Sequence, residues 1–219
     1  LPAALAGLRS YIFLVHLKPT DTTLMKKVFT LILILYCSHA FAQDSLKSFN
    51  NSRIRTTSAG MEVLGSWGIV NVGAGAIGWA NSTTNTSRYF YQMNVIWGSV
   101  NFGTALISYA GLQRDRKKHL TAAETLKEQQ KIEKIFLING GLDVAYIGTG
   151  LYLKLAGDSR NSPIMKGYGS SILLQGGFLL IFDGLMYQSE KNNGGKLRHF
   201  LEKHPITFDG RRVGMIFNM

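Results

Sequence analysis

Two carboxylates stand in stretches of sequence that are nearly free of other charge. Asp143 follows an amide by four residues in Asn139-Gly140-Gly141-Leu142-Asp143, and Asp183 ends the run Phe178-Leu179-Leu180-Ile181-Phe182-Asp183. A third acid, Glu62, lies near the start of another apolar stretch. A carboxylate within hydrocarbon costs about 2.5–3.5 kcal/mol, so it normally faces a bundle interior or a water-filled cavity. Two carboxylates held close together do not both ionise readily. Residues of this type in this setting suit the handling of protons or cations, with Asp143 and Asp183 as a pair and Glu62 at the mouth. Amides recur two residues before a glycine in the same surroundings: Asn71-Val72-Gly73, Asn101-Phe102-Gly103, Asn139-Gly140-Gly141 and Gln175-Gly176-Gly177. The plainer role for this polar seam is adhesion, each amide bonding across helices for roughly 0.6 kcal/mol. Asp143 would then bond Tyr146 or an amide, and Glu62 would be solvated at an interface. Both readings stay open on sequence alone.

The elements that must position these groups are four apolar segments, at about 59–80, 89–112, 135–155 and 167–187. Each holds about 20 residues, enough to cross roughly 30 Å of hydrocarbon as a helix. Aromatic residues gather near the ends, among them Trp79, Tyr89, Tyr109, Tyr152, Tyr168 and Tyr187, as interfacial belts require. The first two segments repeat one another: Trp67-Gly68-x-Val70-Asn71-x-Gly73 recurs 30 residues later as Trp97-Gly98-x-Val100-Asn101-x-Gly103. Small residues four apart, Ala74/Gly78, Ser99/Gly103 and Gly141/Ala145/Thr149, are candidates for close helix contact in lipid. A β-barrel would need strict alternation of apolar and polar residues, which the continuous run Phe178-Leu179-Leu180-Ile181-Phe182 lacks.

The expected fold is therefore all-α, a membrane-embedded up-down bundle of four helices. Thr121-Ala122-Ala123-Glu124 has the form of a capping box, opening a helix that runs unbroken from about 121 to 155 and projects beyond the bilayer. Residues 43–58 read as a polar amino-terminal segment, 59–187 as the membrane domain and 188–219 as a basic tail, with Asn192-Asn193-Gly194-Gly195 as a loop. Ile206-Thr207-Phe208 and Val213-x-Met215 alternate like a small hairpin turning at Asp209-Gly210.

Met25-Lys26-Lys27, the apolar stretch 28–37 and Ala40-Phe41-Ala42 have the layout of a signal peptide spanning 25–42. Residues 1–24 read as sequence upstream of the natural start. Cys37 follows Tyr36, whereas a lipid-attachment cysteine follows a small residue, and it falls inside the removed peptide. The mature chain is then free of thiols, and His119, His199 and His204 all lie outside the apolar segments. No cofactor is expected: neither a haem held by two histidines between spans nor a cysteine-histidine zinc site has its ligands. No Ser/His/Asp set, HExxH or phosphate loop is present, so an enzyme is not expected.

Four antiparallel spans place the starts of spans one and three and the ends of two and four on one side, side A. Of the 24 lysines and arginines, four lie in residues 1–42, 16 on side A and four on the opposite side B. By the positive-inside rule side A is cytoplasmic, whereas a cleaved signal peptide would deliver side A outside the cytoplasm. The signal peptide carries more weight, because all three of its regions are present. In either orientation the expected location is the cell inner membrane. The partners expected are the lipid bilayer and a protein partner or second copy; no nucleic-acid-binding motif accompanies the charge.

Met93-Asn94-x-x-Trp97-x-x-Val100-Asn101, Asn139-x-Gly141-Leu142-Asp143-Val144-x-Tyr146 and Gly167-Tyr168-Gly169-x-Ser171-x-x-x-Gln175-Gly176-Gly177 resemble the signature runs of an uncharacterised family of small exported bacterial membrane proteins. The resemblance covers about 53–187 and implies a signal peptide and four helices, with no activity or ligand attached. A scaffold or assembly role in the envelope ranks first on sequence, ahead of a conductor of protons, cations or small solutes along Asp143, Asp183, Asn139, Gln175, Asn71, Asn101 and Glu62. Single cysteines at Ser82 (side B) and Ser189 (side A), probed in intact cells with an impermeant reagent, decide the orientation. The signal-peptide orientation requires labelling of Ser189→Cys alone; labelling of Ser82→Cys alone reverses it.

Overall fold

The computed structural model describes the backbone of residues 22–204, 206–208 and 213–215 and the side chains of residues 44–204. Four helices follow in order: α1 (Thr22–Ala80), α2 (Asn85–Asp115), α3 (Ala122–Ser159) and α4 (Pro163–Lys203). Two short strands close the chain, β1 (Ile206–Phe208) and β2 (Val213–Met215), paired antiparallel with Ile206 opposite Met215 and Phe208 opposite Val213. The Asp209-Gly210 turn expected between them lies outside the described residues. Residues 1–41 and 42–219 form separate compact units. The first is helical from Thr22, its side chains outside the described residues, and the expected signal peptide falls almost wholly within it. The second unit holds the four-helix body.

Local sequence explains where the helices begin. Thr84 caps α2, its hydroxyl accepting from the Ser87 amide at 3.2 Å. Thr121 and Glu124 form the reciprocal capping box of α3, satisfying two amides that a helix start leaves open. These bonds from Thr121 hold the exposed Glu124 carboxyl below its ordinary range. Between α3 and α4, Asn161 takes a left-handed conformation with φ of 49°, which asparagine tolerates better than most residues, and Pro163 opens α4 where its missing N–H is not needed.

All four helices are long and apolar enough to cross a membrane. Their outer faces carry large apolar side chains, such as Ile77 (68% exposed), Ile107 (77%) and Ile181 (67%), while asparagine, glutamine and aspartate are buried between them. That inversion suits lipid as the solvent around the bundle.

Glycines set the helix crossings. A Cβ added to Gly68 of α1 would lie 2.7 Å from the Gly98 carbonyl of α2, and one added to Gly98 would lie 2.7 Å from the Gly68 carbonyl. These are equivalent positions of the sequence repeat, so the two copies cross at the same residue. Gly150 of α3 and Gly169 of α4 make the matching contact, each Cβ meeting the other's carbonyl at 2.9 and 2.7 Å. Gly167 brings the start of α4 against Thr86 and Tyr89 of α2. Of the small-residue pairs expected to do this, only Gly78 lies against a neighbouring helix, at Tyr91; Gly103 and Gly141 face open space. The reason is angular. Residues two apart on a helix point about 200° from each other, so an inward amide turns the second glycine after it outward.

On side A three helices, not one, continue beyond the apolar spans. Residues 44–58 belong to α1 and residues 188–203 to α4, so the expected polar segment and the Asn192-Asn193-Gly194-Gly195 loop are both helical. Tertiary contacts override the poor helix propensity of that Asn-Gly run. The Asn193 amide donates to Gln129 Oε1 at 2.7 Å, Gly194 leaves room for Glu133, and Leu197 is wholly buried beside Leu46, Ala122 and Leu201. The bundle body below has its own core of Met61, Leu64, Phe136, Leu179, Phe182 and Met186.

Gly98→Ala is expected to lose about 1–3 kcal/mol of stability through overpacking against the α1 backbone. Gly103→Ala, which opens on free space, should stay within ~0.5 kcal/mol of the parent protein or gain slightly. Thermal unfolding in detergent, followed by helical circular dichroism, compares the two; equal losses would refute the crossing.

Candidate functional site

The polar seam divides into two layers held by different helices. The first is an amide layer on α1, α2 and α4, centred on the fully buried Gln175. Its Nε2 donates to Asn71 Oδ1 at 2.7 Å and to Asn94 Oδ1 at 3.0 Å. Its Oε1 accepts from Trp67 Nε1 at 2.9 Å and, more weakly, from Asn101 Nδ2 at 3.4 Å. Both donors and both acceptor sites of the amide are therefore used. Ser171, one turn before Gln175, donates to Asn94 Oδ1 at 2.7 Å, and Asn71 Nδ2 returns a bond to the Trp67 carbonyl at 2.8 Å. The Trp67 ring stacks on Phe178 at 4.1 Å, which fixes the indole N–H toward Gln175.

The second layer lies on α3 and α4. Asp143 (2% exposed) and Asp183 (4% exposed) face each other within hydrogen-bonding reach, and the half-buried Asn139 reaches Asp183. Two carboxyl groups this close do not both ionise readily. Asp143 Oδ2 is fully buried, and no N–H or O–H donor among the described residues reaches it. Both acids line a cavity of about 460 Å³ between α2 and α3. Its lining runs from Arg53, Asp115, Glu128 and Lys131 on side A down to Trp97, Asn101 and Tyr146 at mid-depth. None of the lining residues lies on side B, where the amide layer and the α2–α4 contact at Gly167 fill the interior.

A third polar cluster lies in the side-A extension. Glu190, fully buried, accepts from the Thr57 hydroxyl at 2.8 Å and from Gln129 Nε2 at 3.2 Å. Glu133 pairs with Arg198 at 3.2 Å, and Arg53 lies 3.9 Å from Asp115. On the rim, Lys118 pairs with Asp115 at 2.7 Å, and that contact raises the lysine above its ordinary value.

Of the seven seam residues expected from sequence, Asn71, Asn101 and Gln175 meet in the amide layer, and Asn139, Asp143 and Asp183 meet at the cavity. Glu62 does not join them: it is exposed, on the face of α1 opposite Met61, Leu64 and Asn71. The nearby inward positions 61, 64, 68 and 71 lie about 100–180° around the helix from 62, which turns Glu62 outward. Sequence reasoning missed Asn94, Ser171 and Trp67. The signal was there: Asn94 is two turns before Asn101, and Ser171 one turn before Gln175, both on the face already assigned to an amide. Glu190 and Gln129 were hidden because their segment did not read as part of a packed bundle.

Gln175→Leu leaves Asn71 Oδ1 and Trp67 Nε1 without a partner and is expected to cost on the order of 1–3 kcal/mol for each buried group left unsatisfied. Glu62→Gln should move stability by less than ~0.5 kcal/mol. Unfolding midpoints in detergent test the contrast, and an unchanged midpoint for Gln175→Leu would overturn the central role of this amide.

No curated protein and no solved structure matches the chain. A family model described as a family of unknown function, DUF6992, matches residues 63–184, a stretch that contains both membrane layers and leaves out Glu62 and Glu190. The crossing glycines, the amide layer and the carboxyl pair all fall within that match, and the chain belongs to this family.

Proposed function

We propose that this protein is a non-enzymatic, multi-pass protein of the inner membrane that receives a small polar solute or ion in a vestibule open to side A. The observation that carries the reading is the Asp143–Asp183 carboxyl pair, on two residues that line the cavity, with no N–H or O–H donor of the described residues reaching Asp143 Oδ2. Carboxylate charge in a low-dielectric interior is costly, and a bound donor or cation relieves it. The vestibule is closed toward side B by the amide layer, so the reading is of binding from one side. Conduction straight through would require the Gln175 network to open. Sequence alone ranked a scaffold role first and a conductor along the seam second; the cavity supports solute binding ahead of the scaffold. The scaffold reading keeps one specific support, the three-helix extension on side A with its own buried core of Leu46, Leu197 and Leu201.

The test uses accessibility. In a Cys37→Ser background, Thr104→Cys and Ser108→Cys place thiols on the cavity wall, and Ile107→Cys places one at the same depth on the outer face. A water-filled vestibule requires a hydrophilic thiol reagent in proteoliposomes to modify positions 104 and 108 well ahead of 107. No modification at either cavity position, or equal rates at all three, would sink the reading.

A further inference from the structure

We infer that the occupant of the vestibule is a small monovalent organic ammonium ion, which rests on the one-sided vestibule proposed above. Four features of the cavity point to that class. Asp143 and Asp183, both lining the cavity, offer carboxyl acceptors for an N–H donor. Two carboxyls this close do not both ionise readily, so the pair suits a monovalent cation better than a divalent one. The wall beside the acids is aromatic: Trp97 and Tyr146 meet edge to face at 5.1 Å, and Phe136 and Phe182 at 6.4 Å, all four lining the cavity. Aromatic faces attract an alkylammonium group, and their apolar carbon surface accepts its methylenes. The wall also carries Met61, Leu64 and Leu179, which suit a short alkyl chain, beside the hydroxyls of Thr57, Thr104 and Ser108.

The entrance does not oppose such a ligand. Arg53 faces Asp115 and Lys131 faces Glu128, each at 3.9 Å, so the cations at the mouth are accompanied by acids. A hard divalent ion fits less well, since it takes six or more oxygen ligands, and the floor presents two carboxyls and the Asn139 amide among rings. The volume of about 460 Å³ lies in the range of small-molecule sites and admits an amine of a few carbons together with water.

The experiment uses the full chain in detergent or nanodiscs with n-butylammonium as the probe, against sodium at equal ionic strength and against neutral n-butanol. The expected result is a saturable change in tryptophan emission, Trp97 being part of the wall, and saturable slowing of reagent attack at Ser108→Cys. Sodium and n-butanol should do neither. Asp143→Asn should weaken n-butylammonium binding about tenfold or more, the loss of a charge-assisted bond, while Glu62→Gln leaves it unchanged. If Asp143→Asn loses its helical signal or aggregates, Asp183→Asn carries the same expectation, and the comparison with sodium and n-butanol needs no acid variant. Equal effects of n-butanol or sodium, or undiminished binding in a folded Asp143→Asn protein, would overturn the inference. A Ser108→Cys thiol that is reactive but unprotected by n-butylammonium sinks this inference alone and leaves the vestibule standing; an unreactive thiol at 104 and 108 removes both.

Discussion

The Gln175 amide ties three helices together with four hydrogen bonds, and much of the bundle follows from the need to keep it there. In hydrocarbon a buried amide has no water to fall back on, so its partners must come from neighbouring helices at fixed positions. Asn71 and Trp67 hold α1 in place, and Asn94 and Asn101 hold α2. Bonds of about 3 Å require the helix axes to come close, and the Gly68/Gly98 crossing of α1 and α2 and the approach of α4 to α2 at Gly167 make that sterically available. Polar pairing and glycine packing thus constrain the same geometry from two directions. Apolar packing in lipid supplies little preference of its own.

The acid layer differs from the amide layer in being incomplete. Every polar atom of the Gln175 side chain has a partner, whereas no N–H or O–H donor among the described residues reaches Asp143 Oδ2, on a residue that lines the cavity. The difference traces to helix arrangement. α4 packs on both α2 and α3, while α2 and α3 stand on either side of the cavity, so no side chain from α2 completes the carboxyl pair. A satisfied network rigidifies a core; an unsatisfied group beside open volume is where a ligand would bind. The two layers divide the interior into a structural half and a half available for chemistry.

The side-A extension adds a third level. α1, α3 and α4 continue together past the membrane part of the bundle, with Glu190, Gln129 and Asn193 bonded inside a shell of leucines. α2 ends at Asp115, and at that level the cavity lining holds Arg53, Asp115, Glu128 and Lys131. An end of α2 short of the other three helices is what an entrance on side A, as proposed above, requires.

Four spans, the capping box at Thr121 and the alternation at 206–215 were legible from residue types alone, because each depends on local spacing. So was the presence of paired acids among amides, since charge inside an apolar run stands out without any fold. Tertiary structure decided the rest. It put Asn94, Ser171 and Trp67 into the seam and left Glu62 outside, a matter of which way each helix is turned about its axis. It made a helix of Asn192-Asn193-Gly194-Gly195, whose intrinsic preference is for a loop, by bonding Asn193 to Gln129 and burying Leu197. It also selected the glycines that touch, choosing Gly68, Gly98, Gly150 and Gly169 over Gly103 and Gly141. Sequence determines how apolar a segment is and where it can start; rotation and neighbour choice are set only when all four helices compete for the same polar partners, which is a property of the assembled bundle.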